Sequence, residues 1–134
     1  MVVLENEVFG LASEMDIVLA RQAVRKRAIE LGFRLVDQTK IVTAASELAR
    51  NTLIYGGGGT MSLTALSDSP RKGLRLVFED RGPGIPDVQQ ALQDGFTTGT
   101  GLGMGLGGAR RLVSEFEIQS RVGEGTRITI TKWV

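Results

Sequence analysis

Glu47 and Asn51 stand four residues apart in a stretch free of proline and glycine. On a helix that spacing puts a carboxylate and a carboxamide on one face, a turn apart. The carboxamide of Asn51 offers a neutral oxygen to a hard cation such as Mg²⁺, which fills the rest of its shell with water and substrate phosphates. Glu47 beside it can take the proton of an attacking hydroxyl. A second group is Asp80, followed by Gly82 and Gly84. A carboxylate accepts hydrogen bonds only, which suits it to an exocyclic amine such as that of adenine, and the glycines let a ligand approach the main chain. A third is the tract from Gly95 to Gly108, where seven of fourteen residues are glycine. From Gly99 to Gly108, successive backbone N–H groups can wrap phosphates, ending at a helix N-terminus whose dipole favours anions. Last comes Gly123-Glu124-Gly125-Thr126, a hairpin turn by composition, whose Thr126 hydroxyl can also face a pocket. Each pattern is common alone; a Glu-x-x-x-Asn pair usually marks only a solvated helix face.

These residues need elements to hold them. Ser13 with Asp16 three residues on reads as a helix start, Ile17, Ala20, Val24, Ala28 and Leu31 form one helical stripe, and Gly32 ends it. A second helix is expected from Val36 to Tyr55, stopped by Gly56 to Gly59. Strands are expected over 8–11, 60–66 and 74–80, the last two as an antiparallel hairpin around a turn at 68–73, with Asp80 at the open end. A short helix over 87–92 leads into the glycine tract, expected as a mobile loop that buries nothing. A helix from Leu106 to Glu115 and a hairpin of 116–121 with 126–133 complete the chain. Helices interleaved with antiparallel strands imply an α/β two-layer sandwich, mostly antiparallel, with helices on one face.

At 134 residues the chain is expected to be a single domain, 1–134. A net charge of +1 and the lack of a basic run argue against nucleic acid. Cysteine and histidine are both absent, which excludes disulfides, thiolate or imidazole metal sites, and a phosphohistidine. No apolar run approaches membrane-spanning length and no signal peptide is visible, so a cytoplasmic location is expected. A dinucleotide-binding reading of the glycines fails for want of a parallel strand–helix–strand unit, and a Walker loop fails because no Gly-Lys-Ser/Thr follows.

Taken in order, Glu47-Leu48-Ala49-Arg50-Asn51, Asp80-x-Gly82-x-Gly84, Gly101-x-Gly103-x-Gly105 and Gly123-Glu124-Gly125-Thr126 resemble the N, G1, G2 and G3 boxes of the GHKL ATPase/kinase superfamily. The resemblance spans nearly the whole chain and implies the Bergerat ATP-binding fold. It makes Asn51 the Mg²⁺ ligand, Glu47 the catalytic base, Asp80 the adenine contact, and 95–108 the ATP lid, with Gly82, Gly84, Gly101, Gly103, Gly105 and Thr126 lining the nucleotide. Within the superfamily, Glu30-Leu31-Gly32-Phe33, Val36-Asp37-Gln38, Ser46 to Asn51 and Asp94-Gly95-Phe96 look most like the small bacterial serine-protein kinases of partner-switching pathways. That likeness implies ATP and Mg²⁺ as cofactors, a STAS-domain scaffold or antagonist as substrate, a PP2C-type phosphatase activated after release, and room for a homodimer. Anti-sigma-factor relatives resemble Arg-Ser-Gly-Met-Gly where this chain has Gly101-Leu102-Gly103-Met104-Gly105, so the arginine expected near the γ-phosphate is missing. An anti-sigma factor kinase that sequesters a sigma factor, and a nucleotide-dependent binding module with little turnover, stand as the alternatives.

Overall fold

The computed structural model describes residues 1–93 and 105–134. Its elements run β1 (Val2–Leu11), α1 (Glu14–Glu30), α2 (Leu35–Ile54), β2 (Gly59–Asp68), β3 (Arg71–Asp80), α3 (Val88–Ala91), α4 (Gly105–Arg111), β4 (Glu115–Arg121) and β5 (Gly125–Trp133). The five strands form one antiparallel sheet in the order β1-β2-β3-β5-β4.

Alternation decides which face is covered. Met61, Leu63 and Ala65 of β2, Leu74, Leu76 and Phe78 of β3, and Ile128 and Ile130 of β5 are buried, and the registers Met61↔Phe78↔Ile128 and Leu63↔Leu76↔Ile130 put them on one side. Against that side lie Ile17, Ala20, Val24 and Ala28 of α1 and Ile41, Ala44, Ala45 and Leu48 of α2. Alanine at the helix contacts lets two helices share a single sheet face, and each buried Leu or Ile contributes roughly 1.5–3 kcal/mol relative to exposure. The opposite face carries Thr64, Arg75, Glu79 and Arg127, joined by polar contacts such as Arg75 Nε to Thr131 Oγ1 at 3.0 Å. This is the two-layer sandwich expected from the residue pattern.

The helix ends follow their local chemistry. Ser13 caps α1, its Oγ accepting the Asp16 N–H at 3.3 Å. At the other end Gly32 takes φ +89, its N–H donating to Ile29 and that of Phe33 to Ala28, a Schellman close with Phe33 buried over it.

Several boundaries differ from expectation. β1 begins at Val2 instead of Val8, because Arg27 of α1 binds the carboxylates of both Glu5 and Glu7 and holds the early strand against β2. The turn placed at 68–73 narrows to Ser69 and Pro70, since pairing runs on to Asp68↔Arg71. α4 ends at Arg111, short of Glu115: the Ser114 N–H donates to Thr131 O and the Ser114 Oγ accepts from Trp133, so the sheet captures the chain first. The helix expected from Leu106 begins at Gly105, and where the glycine tract is expected to bury nothing, Leu106 is buried in the core. Gly107 permits this, since a Cβ there would stand 2.4 Å from the carbonyl oxygen of Leu92. The rest of the expected loop, with Gly101 and Gly103, lies outside the described residues.

Candidate nucleotide site

Asp80 is the fixed point of the site. It closes β3, pairs with Gly59 on one side and Thr126 on the other, and its Oδ1 accepts the Gly82 N–H at 2.9 Å. Three glycines from separate segments surround it. A Cβ on Gly56 would lie 2.4 Å from the Asp80 Cγ, one on Gly82 would lie 2.8 Å from Gly56, and one on Gly125, at φ +114, would lie 2.1 Å from the Asp80 carbonyl oxygen. The end of α2, the loop after β3 and the start of β5 therefore close around Asp80, whose Oδ1 is engaged by Gly82 while no hydrogen bond among the described residues reaches its Oδ2. No side chain longer than a hydrogen fits at those three positions.

Beside Asp80 lies a cavity of about 430 Å³. Its polar lining is Asn51, Thr52, Tyr55, Asp80, Asp87, Gln90 and Thr126, and its apolar walls include Phe78, Ile85, Ala91, Leu106 and Ile128. An apolar slot with a few polar groups at its edge suits a flat heterocycle. α3, capped by Asp87 Oδ1 on the Gln90 N–H at 3.0 Å, and Leu106 of α4 supply the outer wall. The loop after β3 is tied to the β4–β5 hairpin by Gly123 N–H to Pro83 O at 2.8 Å and Ile85 N–H to Ser120 Oγ at 2.8 Å.

The structure thus brings Asn51, Asp80, Gly84 and Thr126 to one cavity wall. Glu47 is one turn from Asn51 on α2, outside that wall, and its Oε1 accepts the N–H of Gly105, the first residue of α4, at 3.3 Å. Gly82 stands behind the wall, against Gly56, and Gly84, at φ +77, packs its Cα on the Arg121 carbonyl, where a Cβ would come within 2.2 Å. Both glycines serve chain-to-chain approach as well as any approach of a ligand. Tyr55, Ile85, Gln90 and Leu106 are cavity residues that the sequence reading passed over. For Tyr55 a signal existed, since the four-residue step that joins Glu47 to Asn51 leads next to Tyr55.

Among the described residues no group of three or more acidic, histidine or cysteine side chains is placed to hold a metal. A divalent ion here would rest on the Asn51 oxygen and take its remaining ligands from phosphates and water, a division ordinary for Mg²⁺.

Residues 36–133 match the model of the histidine kinase-, DNA gyrase B- and HSP90-like ATPase family. The chain is 50% identical over 124 residues to the serine/threonine-protein kinase RsbT of Bacillus subtilis (strain 168), covering 92% of this chain and 93% of that one. It is 30% identical over 133 residues to the anti-sigma F factor of Geobacillus kaustophilus (strain HTA426), covering 94% and 89%. Among solved structures, that of the RsbU and RsbW domains of Rv1364c from Mycobacterium tuberculosis matches with a TM-score of 0.65 at 23% identity, over 96% of this chain and 32% of that longer one. The SiaB–SiaC complex of Pseudomonas aeruginosa matches at 0.56 and 12% identity, over 98% and 91%. The chain belongs to the histidine kinase-, DNA gyrase B- and HSP90-like ATPase family, and its fold is the Bergerat fold that the order of motifs implied. Given 50% identity across nine tenths of both chains to a member with that activity, it is an enzyme of the protein serine/threonine kinase class.

Proposed function

We propose that this kinase uses ATP and Mg²⁺ to phosphorylate a serine or threonine hydroxyl on a STAS-domain protein of a bacterial, cytoplasmic partner-switching pathway, and that its release from that protein frees it to activate a PP2C-type phosphatase. In this reading residues 1–134 act as one kinase domain. The observation that carries it is the meeting of Asp80, Thr126 and Asn51 on one cavity with Glu47 a turn away on the same helix. Half of the residues are shared with a chain named as a serine/threonine-protein kinase, which supports the transfer chemistry.

Phosphoryl transfer asks a protein chiefly for positioning and for neutralisation of charge. The Asp80 Oδ2 receives the exocyclic amine of the base, and the apolar walls exclude water from the ring. Asn51 would hold the ion, which would supply positive charge to offset that of the phosphates. With Oε1 of Glu47 on Gly105, its Oε2 is the oxygen left to take the proton of the incoming hydroxyl. No step needs a histidine or a cysteine, which the chain lacks.

The 30% identity to an anti-sigma F factor favours an anti-sigma factor kinase that sequesters a sigma factor as a same-fold alternative, and the absence of an arginine at Gly101 favours a second reading, a nucleotide-dependent binding module with little turnover. Incubation with γ-labelled ATP and the STAS proteins encoded beside its gene distinguishes the two. Label on a serine or threonine of the STAS protein, absent with Glu47→Gln, supports the kinase reading. A complex that forms with nucleotide while the partner gains no phosphate replaces it with the binding module.

A further inference from the structure

We propose that Thr43 is a site of self-phosphorylation: its hydroxyl takes the γ-phosphoryl group of the nucleotide held by the same chain, and Glu47 accepts its proton. This rests on the kinase reading above and adds an acceptor that belongs to the chain itself.

The spacing on α2 carries it. Thr43, Glu47, Asn51 and Tyr55 follow one another at four-residue steps, so they form a row along the helix, each a turn from the next. Tyr55 and Asn51 line the cavity, and Glu47 stands beyond them, against the first residue of α4. A nucleotide with its base in the cavity and its phosphates at Asn51 therefore directs its γ-phosphoryl group along the row, toward Glu47 and then Thr43.

Thr43 is exposed, and its hydroxyl differs from the other serine and threonine hydroxyls of the helix. Those of Thr39, Ser46 and Thr52 donate to the carbonyl four residues back, on Leu35, Val42 and Leu48, at 3.1, 2.9 and 2.9 Å. Such a bond spends the proton and turns the oxygen onto the helix wall. The Thr43 hydroxyl makes no hydrogen bond among the described residues, so its proton and its lone pairs are both available.

Glu47 uses Oε1 on the Gly105 N–H. Side chains four apart on a helix have Cβ atoms about 5–6 Å from each other, which puts the Thr43 hydroxyl within hydrogen-bond reach of the other Glu47 oxygen. In the step, a bond forms between the Thr43 oxygen and the γ-phosphorus as the bond from that phosphorus to the β,γ-bridging oxygen breaks. ADP leaves, and the Thr43 proton passes to Glu47. Lys40, three residues before Thr43 on the same side of the helix, is exposed and has no ion pair among the described residues. Its ammonium is placed to pair with the phosphate that results. The modified Thr43 carries about two negative charges a turn from the base, which opposes a second γ-phosphate there and stops the reaction at one phosphate per chain.

The test has two arms. In the first, wild type is incubated with ATP and Mg²⁺ without a partner, and the mass of the intact chain and of its fragments is measured. One phosphate on Thr43 is expected, kept in Thr43→Ser, absent in Thr43→Val and Glu47→Gln, and formed at a rate per molecule that does not change on dilution. Phosphate on another residue, a rate that falls on dilution, or no phosphate on a chain that does label the STAS protein overturns the inference. A chain that labels neither itself nor the STAS protein removes the kinase reading beneath it. The second arm needs no turnover. The chain has no cysteine, so Thr43→Cys carries a single thiol whose alkylation reports what lies against that position. The non-hydrolysable β,γ-imido analogue of ATP is expected to slow alkylation about fivefold, the effect of a unit charge about 4 Å away in water, and ADP to change it by less than about twofold. Equal slowing by both nucleotides, or by neither, while both bind in titration, puts the γ-phosphate away from Thr43 and overturns the inference.

Discussion

On one face of α2, Glu47 is proposed to take the proton and Asn51 the metal ion, and each role can be removed separately. Glu47→Gln keeps the size of the side chain and an oxygen for the Gly105 N–H, yet cannot take a proton. It is expected to bind ATP as wild type does and to transfer no phosphate, measured by nucleotide titration beside labelled-phosphate transfer; full transfer would remove Glu47 as the base. Asn51→Ala is expected to abolish Mg²⁺-dependent transfer, because no acidic cluster among the described residues stands ready to replace it. At Asp80 the change to Asn brings a possible donor against the base amine and against the Gly82 N–H that Oδ1 now accepts. Affinity for ATP should fall by roughly 1–3 kcal/mol, the cost of a buried polar group left without its partner, and GTP should bind wild type poorly. Equal affinity of wild type for ATP and GTP would show that Asp80 does not read the base.

The elements impose a different kind of constraint, since the cavity wall depends on how closely backbones meet. Gly107→Ala would drive a methyl into the Leu92 carbonyl at 2.4 Å and push α4 from α3, moving Leu106 and Ala91, which face the cavity from those two helices. The expected result is weaker nucleotide binding with a folded sheet, read by titration and by hydrogen exchange confined to 88–93 and 105–111. β1 depends on Arg27, whose guanidinium is held more basic than usual chiefly by its hydrogen bond to Glu7, against the cost of burial, with Glu5 and Glu30 adding to it. Arg27→Met leaves those carboxylates facing one another. Because Glu5 and Glu7 are about half exposed, solvent screening limits the loss to about 1 kcal/mol, and faster exchange should appear first at the amides of Val2 to Glu7. At the β2–β3 turn the Arg71 hydrogen bond holds the Asp68 carboxylate below its ordinary range. A lowered carboxylate stabilises the fold above the unfolded value and ceases to do so as pH falls through the folded one. The end of this hairpin should therefore loosen in acid in wild type and show no such dependence in Asp68→Asn.

For the molecule as a whole the prediction concerns exchange of partners. If phosphorylation of the bound STAS protein is what breaks the complex, wild type releases it on addition of ATP and Glu47→Gln holds it, which size-exclusion chromatography resolves. Release by the variant at the wild-type rate would assign the switch to nucleotide binding alone. No helix of the described residues is long and apolar enough to cross a membrane.

Much of this was legible in the chain itself, because helix caps and alternating strands are decided within a few residues. Ser13 caps α1, Gly32 takes the left-handed turn, and Leu74, Leu76 and Phe78 face one way as their spacing requires. The step from Glu47 to Asn51 likewise survives folding, since a helix keeps four-residue neighbours together whatever it packs against. Contacts between distant segments were settled by the tertiary structure alone. That Gly56, Gly82 and Gly125 close on Asp80, that Ser120 stands in line with Thr126 and Asp80, and that Leu106 leaves the glycine tract for the core all depend on strand order and register. A glycine announces that something comes close to it; only the folded sheet says what that neighbour is.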